Sequence, residues 1–61
     1  NLDLKRALDS LEDDLKIVVE LYYYEDFLLK DIAKILEIPE GTLKSRLSRA
    51  RKKLYSILKE D

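Results

Sequence analysis

The sequence predicts an all-α domain of four helices. With a single glycine, a single proline and 41% charged residues among 61, it has few of the turn-formers that a small sheet needs. Its apolar positions recur at intervals of three and four, the spacing of one helix face. A chain of this length holds one domain, spanning 1–61, and buries roughly 60% of the surface that its unfolded form exposes.

Leu2, Leu4, Ala7, Leu8 and Leu11 share a face of the first helix, which is expected to end near Ser10 or Leu11. Glu12, Asp13 and Asp14 follow as an acidic cluster suited to the positive N-terminal end of the next helix, with Asp13 as a cap. That second helix, from about Asp13 to Tyr23, carries Leu15, Ile17, Val18, Val19, Leu21 and the tyrosines 22 to 24. It is apolar on more than one side and is expected to be the most enclosed. The tyrosine triplet suits core packing with one or two hydroxyls at the surface. Base stacking is the alternative, but Glu25 and Asp26 supply the wrong charge beside it. Glu25, Asp26 and Phe27 mark the turn out of the helix, and Asp26 is expected to cap the third.

The third helix holds Leu28, Leu29, Ile32, Ala33, Ile35 and Leu36, interrupted by Lys30, Asp31 and Lys34. A turn of about three residues follows, in which Pro39 ends one helix and opens the next, because a proline lacks only an N–H that would have no partner there. The fourth helix is predicted from a stripe of Leu43, Leu47, Ala50, Leu54 and Ile57 or Leu58.

Without histidine or cysteine the chain lacks the usual neutral-pH acid/base, the commonest metal ligand, disulfides and thiolate sites. No enzyme and no cofactor is expected. No apolar stretch approaches the ~20 residues needed to cross a bilayer, and no leader is evident, so a cytoplasmic protein with no membrane partner is expected. The lack of any methionine suggests that Asn1 is a cut inside a longer chain.

The net charge of −1 conceals a division. Residues 1–40 carry eleven acids and five bases, while residues 41–61 carry seven bases and two acids. From Gly41 to Lys53 there are six bases and no acid, a concentrated field that attracts phosphate. Two helices joined by a short turn, the second of them basic, predict a helix-turn-helix at about 28–54, a winged-helix-like arrangement without the wing, whose second helix enters the major groove. Ala33 is small enough for the two helices to cross closely. With the apolar stripe inward, Lys44, Ser45, Ser48, Arg49 and Lys52 turn outward.

Arg49 is the leading base reader, because arginine pairs bidentately with guanine; Lys44, Ser45 and Ser48 come next. Gly41, Thr42, Arg46 and Arg51, with Lys52, suit phosphate, which is met by backbone N–H groups at a helix N-terminus and by flanking cations. Thr42 could instead cap the helix, and Arg46 and Arg51 could be a solvated flank or pair with the acidic half. Lys30 and Lys34 could touch the backbone where the first helix of the motif crosses it.

Asp31-Ile32-Ala33 and the run from Ile38 to Leu54, above all Pro39-Glu40-Gly41-Thr42-Leu43-Lys44-Ser45-Arg46-Leu47-Ser48-Arg49-Ala50-Arg51, resemble region 4 of the extracytoplasmic-function (ECF) bacterial sigma factors. Leu43 replaces the family's usual valine. The resemblance covers essentially the whole chain. It implies a domain that binds the upstream (minus 35) promoter element within RNA polymerase holoenzyme and docks on the β-subunit flap, with an anti-sigma factor as a further partner. Lys44, Ser45, Ser48 and Arg49 match base-proximal positions; Thr42, Arg46 and Arg51 match positions near the backbone. Glu12 stands where the family often has proline, and Leu28 where a serine commonly caps the third helix. Ser48 sits at a variable position, so no base preference carries over. A helix-turn-helix module of another regulator is the alternative, though it would need a dimer seam for paired half-sites, and none is evident.

Overall fold

The computed structural model describes residues 2–59, apart from the side chain of Leu2; Asn1 and its suggested cut lie outside the described residues. Its elements are α1 (Leu2–Asp9), α2 (Asp13–Val19), a π-helical turn (Glu20–Tyr24), α3 (Leu29–Leu36) and α4 (Glu40–Lys59). All regular structure among the described residues is helical, as the periodicity required.

Two apolar clusters hold the helices together. Leu8 and Leu11 meet Leu15, Val19 and Ala50, with Leu4 and Leu54 packed against them. Val18, Ile32, Ala33, Leu43 and Leu47 form the second, bordered by Leu21, Tyr22, Leu29, Leu36 and Ile38. α2 and α4 contribute to both, so they form the spine, with α1 at one end and α3 at the other. The stripe of α4 is fully buried only through Ala50. Leu54 and Ile57 are half-buried and Leu58 is exposed, because α4, the longest helix at 20 residues, runs beyond the helices that cover it.

The helix ends differ from expectation in informative ways. α1 stops at Asp9, and Ser10 closes it by donating its N–H to the Arg6 carbonyl at 3.2 Å and its hydroxyl to the Ala7 carbonyl at 2.7 Å. The second helix continues past Tyr23, but as a π turn: the Glu25 N–H reaches back five residues to the Glu20 carbonyl, at 3.1 Å. Neither expected carboxylate cap forms. Glu12 occupies the cap position of α2 without a side-chain bond, and Asp13 lies within the first turn. Leu28 occupies that of α3, and Asp26 stands two residues earlier in the left-handed region at φ 58°. In both cases the acids near the helix start, Asp13, Asp14 and Asp31, complement the dipole without bonding the free N–H groups.

The turn between α3 and α4 is three residues, Glu37 to Pro39. Glu37 adopts the left-handed conformation (φ 56°, ψ 47°). Its N–H donates to the Lys34 carbonyl at 3.2 Å and the Ile38 N–H to the Ala33 carbonyl at 3.0 Å, a Schellman closure. Ile38 and Ala33 also share the second cluster, the apolar contact that usually accompanies that closure. At the surface, the Lys16 ammonium donates to Asp9 at 2.9 Å. This bond holds the Asp9 carboxyl below its ordinary pKa and raises that of Lys16.

Glutamate in the left-handed region costs about 1 kcal/mol that glycine avoids. Glu37→Gly is expected to raise the melting temperature by roughly 4–8 °C per kcal/mol gained; a fall in a thermal melt would show that the Glu37 side chain stabilises the turn. Leu28, 60% exposed at an uncapped helix start, offers a second gain. Leu28→Ser is expected to stabilise the domain by about 1 kcal/mol in a urea titration, by supplying an acceptor for the first-turn N–H groups.

Candidate nucleic-acid interface

Successive residues of a helix turn by about 100°, and this alone sorts the side chains of α4. Leu43, Leu47 and Ala50 point into the two clusters. Gly41, Lys44, Ser45, Ser48, Arg49 and Lys52 occupy the opposite arc, and all six are exposed. Among the described residues no hydrogen bond, ion pair or ring contact engages the side chains of Lys44, Arg49 or Lys52. The structure therefore brings the four expected base readers together on one face, with Gly41 and Lys52 beside them.

Three further cations of the helix, Arg46, Arg51 and Lys53, stand on its flanks and are engaged, and Lys59 in its last turn lies over the Tyr55 ring at 5.6 Å. On one flank Arg46, its side chain 26% exposed, lies with its Nε 4.0 Å from Asp14 Oδ2, and the Lys53 ammonium pairs with Glu12. On the other, Arg51 Nε donates to the Tyr23 hydroxyl at 2.6 Å, with the guanidinium carbon 5.7 Å from the ring centroid. Pairing with the acidic half thus occurs at Arg46 but not at Arg51, which finds a tyrosine. The sequence had pointed to neither the Tyr23 contact nor Lys53–Glu12. Their partners are 28 and 41 residues apart, and nothing in local spacing signals them.

The start of α4 leaves backbone donors free. The Pro39 carbonyl accepts the Leu43 N–H at 3.1 Å, so the N–H groups of Glu40, Gly41 and Thr42 precede the first N–H that donates within the helix. Thr42 is the third helical residue and is not the N-cap; the capping alternative for its hydroxyl is excluded. Glu40 in the same turn complements the dipole but weakens the pull on an incoming phosphate. Gly41 has no positive φ, and a Cβ built there would meet nothing within 4 Å. Neither packing nor backbone conformation calls for a glycine at this position. Lys30 and Lys34 are exposed on α3 and line a shallow depression with Ala33, Glu37, Ile38, Pro39 and Glu40 at the turn.

Two helices packed through Ile32 and Ala33 onto Leu43 and Leu47, a three-residue turn and an exposed cationic face on the second helix define a helix-turn-helix domain. Residues 1–54 match the family described as Sigma-70, region 4, and the chain belongs to that family. It is similar to RNA polymerase sigma factor SigV of Bacillus subtilis, 40% identical over 97% of this chain and 36% of that protein. It is also similar to ECF RNA polymerase sigma factor SigW of the same organism, 33% identical over 93% of this chain and 30% of the relative. The ECF RNA polymerase sigma-E factor of Escherichia coli K12 is 37% identical over 75% of the chain and 24% of its own length. The chain thus spans about a third or less of these relatives, and among sigma factors it groups with the ECF kind.

A glycine without a structural need separates stability from binding. Gly41→Ala is expected to stabilise the helix by roughly 0.5–1 kcal/mol while weakening duplex DNA binding severalfold, because a methyl group there stands between the first-turn N–H groups and a phosphate. Unchanged affinity beside a raised melting temperature would remove Gly41 from the interface.

Proposed function

We propose that this domain reads the upstream (minus 35) promoter element as part of RNA polymerase holoenzyme, and so directs transcription initiation as the C-terminal domain of an ECF sigma factor. The observation that carries this is the exposed arc of α4, where cations and small hydroxyls stand together with no internal partner for the cations. α4 enters the major groove with Arg49 bidentate to a guanine edge and Lys44, Ser45 and Ser48 on neighbouring bases. Gly41 and Thr42 meet one phosphate through their backbone N–H groups, and Arg46, Arg51 and Lys52 meet others from the flanks. A surface ion pair such as Arg46–Asp14 is worth little, so it yields to a phosphate at small cost.

The domain is a binding module and has no catalytic role of its own. Its acidic N-terminal half faces polymerase, docked on the β-subunit flap, while an anti-sigma factor with an acidic surface would compete for the basic face. It works in the cytoplasm; no described helix is long and apolar enough to cross a membrane. The family match and the relatives named as RNA polymerase sigma factors support this reading.

The test is an amide chemical-shift titration with a promoter-like duplex and a scrambled one of equal length, together with affinities across a salt series. Shifts are expected at 41–53, larger for the promoter-like duplex. With four to six phosphates neutralised, the slope of log affinity against log salt is expected to be about −4 to −5. Arg49→Ala is expected to cost roughly 1–3 kcal/mol and to relax specificity at one base pair. A slope near zero, or shifts confined to residues 2–25, would rule out groove binding by α4.

A further inference from the structure

Among the described cations of α4, Lys59 also meets a ring, that of Tyr55, but Arg51 is hydrogen-bonded to its tyrosine as well. Its Nε donates to the Tyr23 hydroxyl at 2.6 Å, and its guanidinium carbon lies 5.7 Å from the centre of the same ring. One side chain therefore meets both the Nε–H and the guanidinium carbon. Tyr23 is itself fixed, because its ring meets Tyr22 edge-on at 4.9 Å and 83°, and Tyr22 packs against the second apolar cluster. The chain of contact runs from that core through two rings to a cation at the edge of the exposed arc of α4. The tyrosines lie in the π turn Glu20–Tyr24, where the wider i→i+5 winding alters the directions that an α-helix would give them.

We infer that Tyr23 is a positioning residue for DNA backbone recognition: it holds the Arg51 guanidinium so that its terminal N–H groups face a phosphate. This rests on the proposal that α4 docks in the major groove. An arginine carries five N–H donors in a rigid fork. Tyr23 takes the one at Nε and leaves the four at the two terminal nitrogens, enough for a bidentate phosphate contact. A free arginine loses substantial rotamer freedom when it binds, whereas Arg51 is ordered before DNA arrives. Tyr23 is 48% exposed, so its hydroxyl contributes little to the core. A phenylalanine there keeps the ring contacts and loses only the bond.

The experiment measures duplex affinity by fluorescence anisotropy between 50 and 200 mM salt for the wild type, Tyr23→Phe, Arg51→Ala and the double variant, with thermal melts and the Arg51 Nε–Hε resonance as controls. Tyr23→Phe is expected to weaken binding roughly two- to tenfold, the effect of one hydrogen bond, with an unchanged melting temperature and a broadened Arg51 Nε–Hε signal. Arg51→Ala is expected to make the salt slope less negative by about 0.9, and Tyr23→Phe should then add nothing. Wild-type affinity in Tyr23→Phe, or an equal loss with and without Arg51, would overturn the inference while leaving groove binding intact. A wild-type salt slope near zero together with no effect of Arg49→Ala would instead overturn the groove proposal, and the role of Tyr23 with it.

Discussion

Leu43, Leu47 and Ala50 are exposed by 2% or less, and through them α4 belongs to both apolar clusters at once. α2 faces it with Val18 in one cluster and Leu15 and Val19 in the other. Neither α1 nor α3, each of eight residues, would be stable in water alone, since isolated helices of that length are marginal at best. They persist because this shared spine gives each a surface to cover. Ala50 is the narrow point: a fully buried alanine lets α2 and the C-terminal part of α1 approach α4 closely, and a larger side chain would have to displace them. A recognition helix must keep its face in a fixed orientation, and here the buried side of that helix is the part most firmly held.

The connections, by contrast, are where local preference is overruled. Glu37 and Asp26 both adopt left-handed conformations, and two helices begin without a side-chain cap. Each departure costs on the order of 1 kcal/mol. The Glu37 turn fixes the angle at which α4 leaves α3, and Asp26 sits where the π turn gives way to the approach to α3. Tertiary packing through Ile38 and Ala33 on one side, and the Phe27 N–H bonded to the Leu21 carbonyl at 3.1 Å on the other, hold these segments against their own propensities.

This explains what could be read from the sequence and what could not. The stripe on α4, the three-residue turn and the outward arc of Lys44, Ser45, Ser48 and Arg49 follow from helical periodicity and from one proline, both local signals. The π turn has no such signature: Glu20 to Tyr24 continues the apolar pattern of α2, so it reads as ordinary helix until the backbone is seen. The two expected caps do not form because Asp13 stands inside α2 and Asp26 is committed to the turn before α3. The Arg51–Tyr23 bond joins residues 28 apart, and only the crossing of α2 and α4 brings them together. The tyrosine triplet is expected to pack in the core with one or two hydroxyls at the surface, yet only Tyr22 borders a cluster, while Tyr23 and Tyr24 are 48% and 53% exposed; what the Tyr23 hydroxyl meets depends on the fold.

The division of charge acquires a geometric meaning on this scaffold. A chain with net charge −1 should be a poor ligand for a polyanion, and an even spread of its charges would make it one. Instead Glu12 and Asp14 engage Lys53 and Arg46 on a single flank, while Lys44, Arg49 and Lys52 stand on the exposed arc without acidic partners. Apart from Glu40 in its first turn, the acids that engage α4 thus offset cations at its edge rather than on that arc, so the positive potential is concentrated where the side chains are unengaged. The acidic half also repels nucleic acid that approaches from other directions. Weak overall attraction combined with a strongly oriented face favours docking in one pose. On the proposed function, affinity beyond that pose would come from polymerase holding the domain near its site, which raises its effective concentration there.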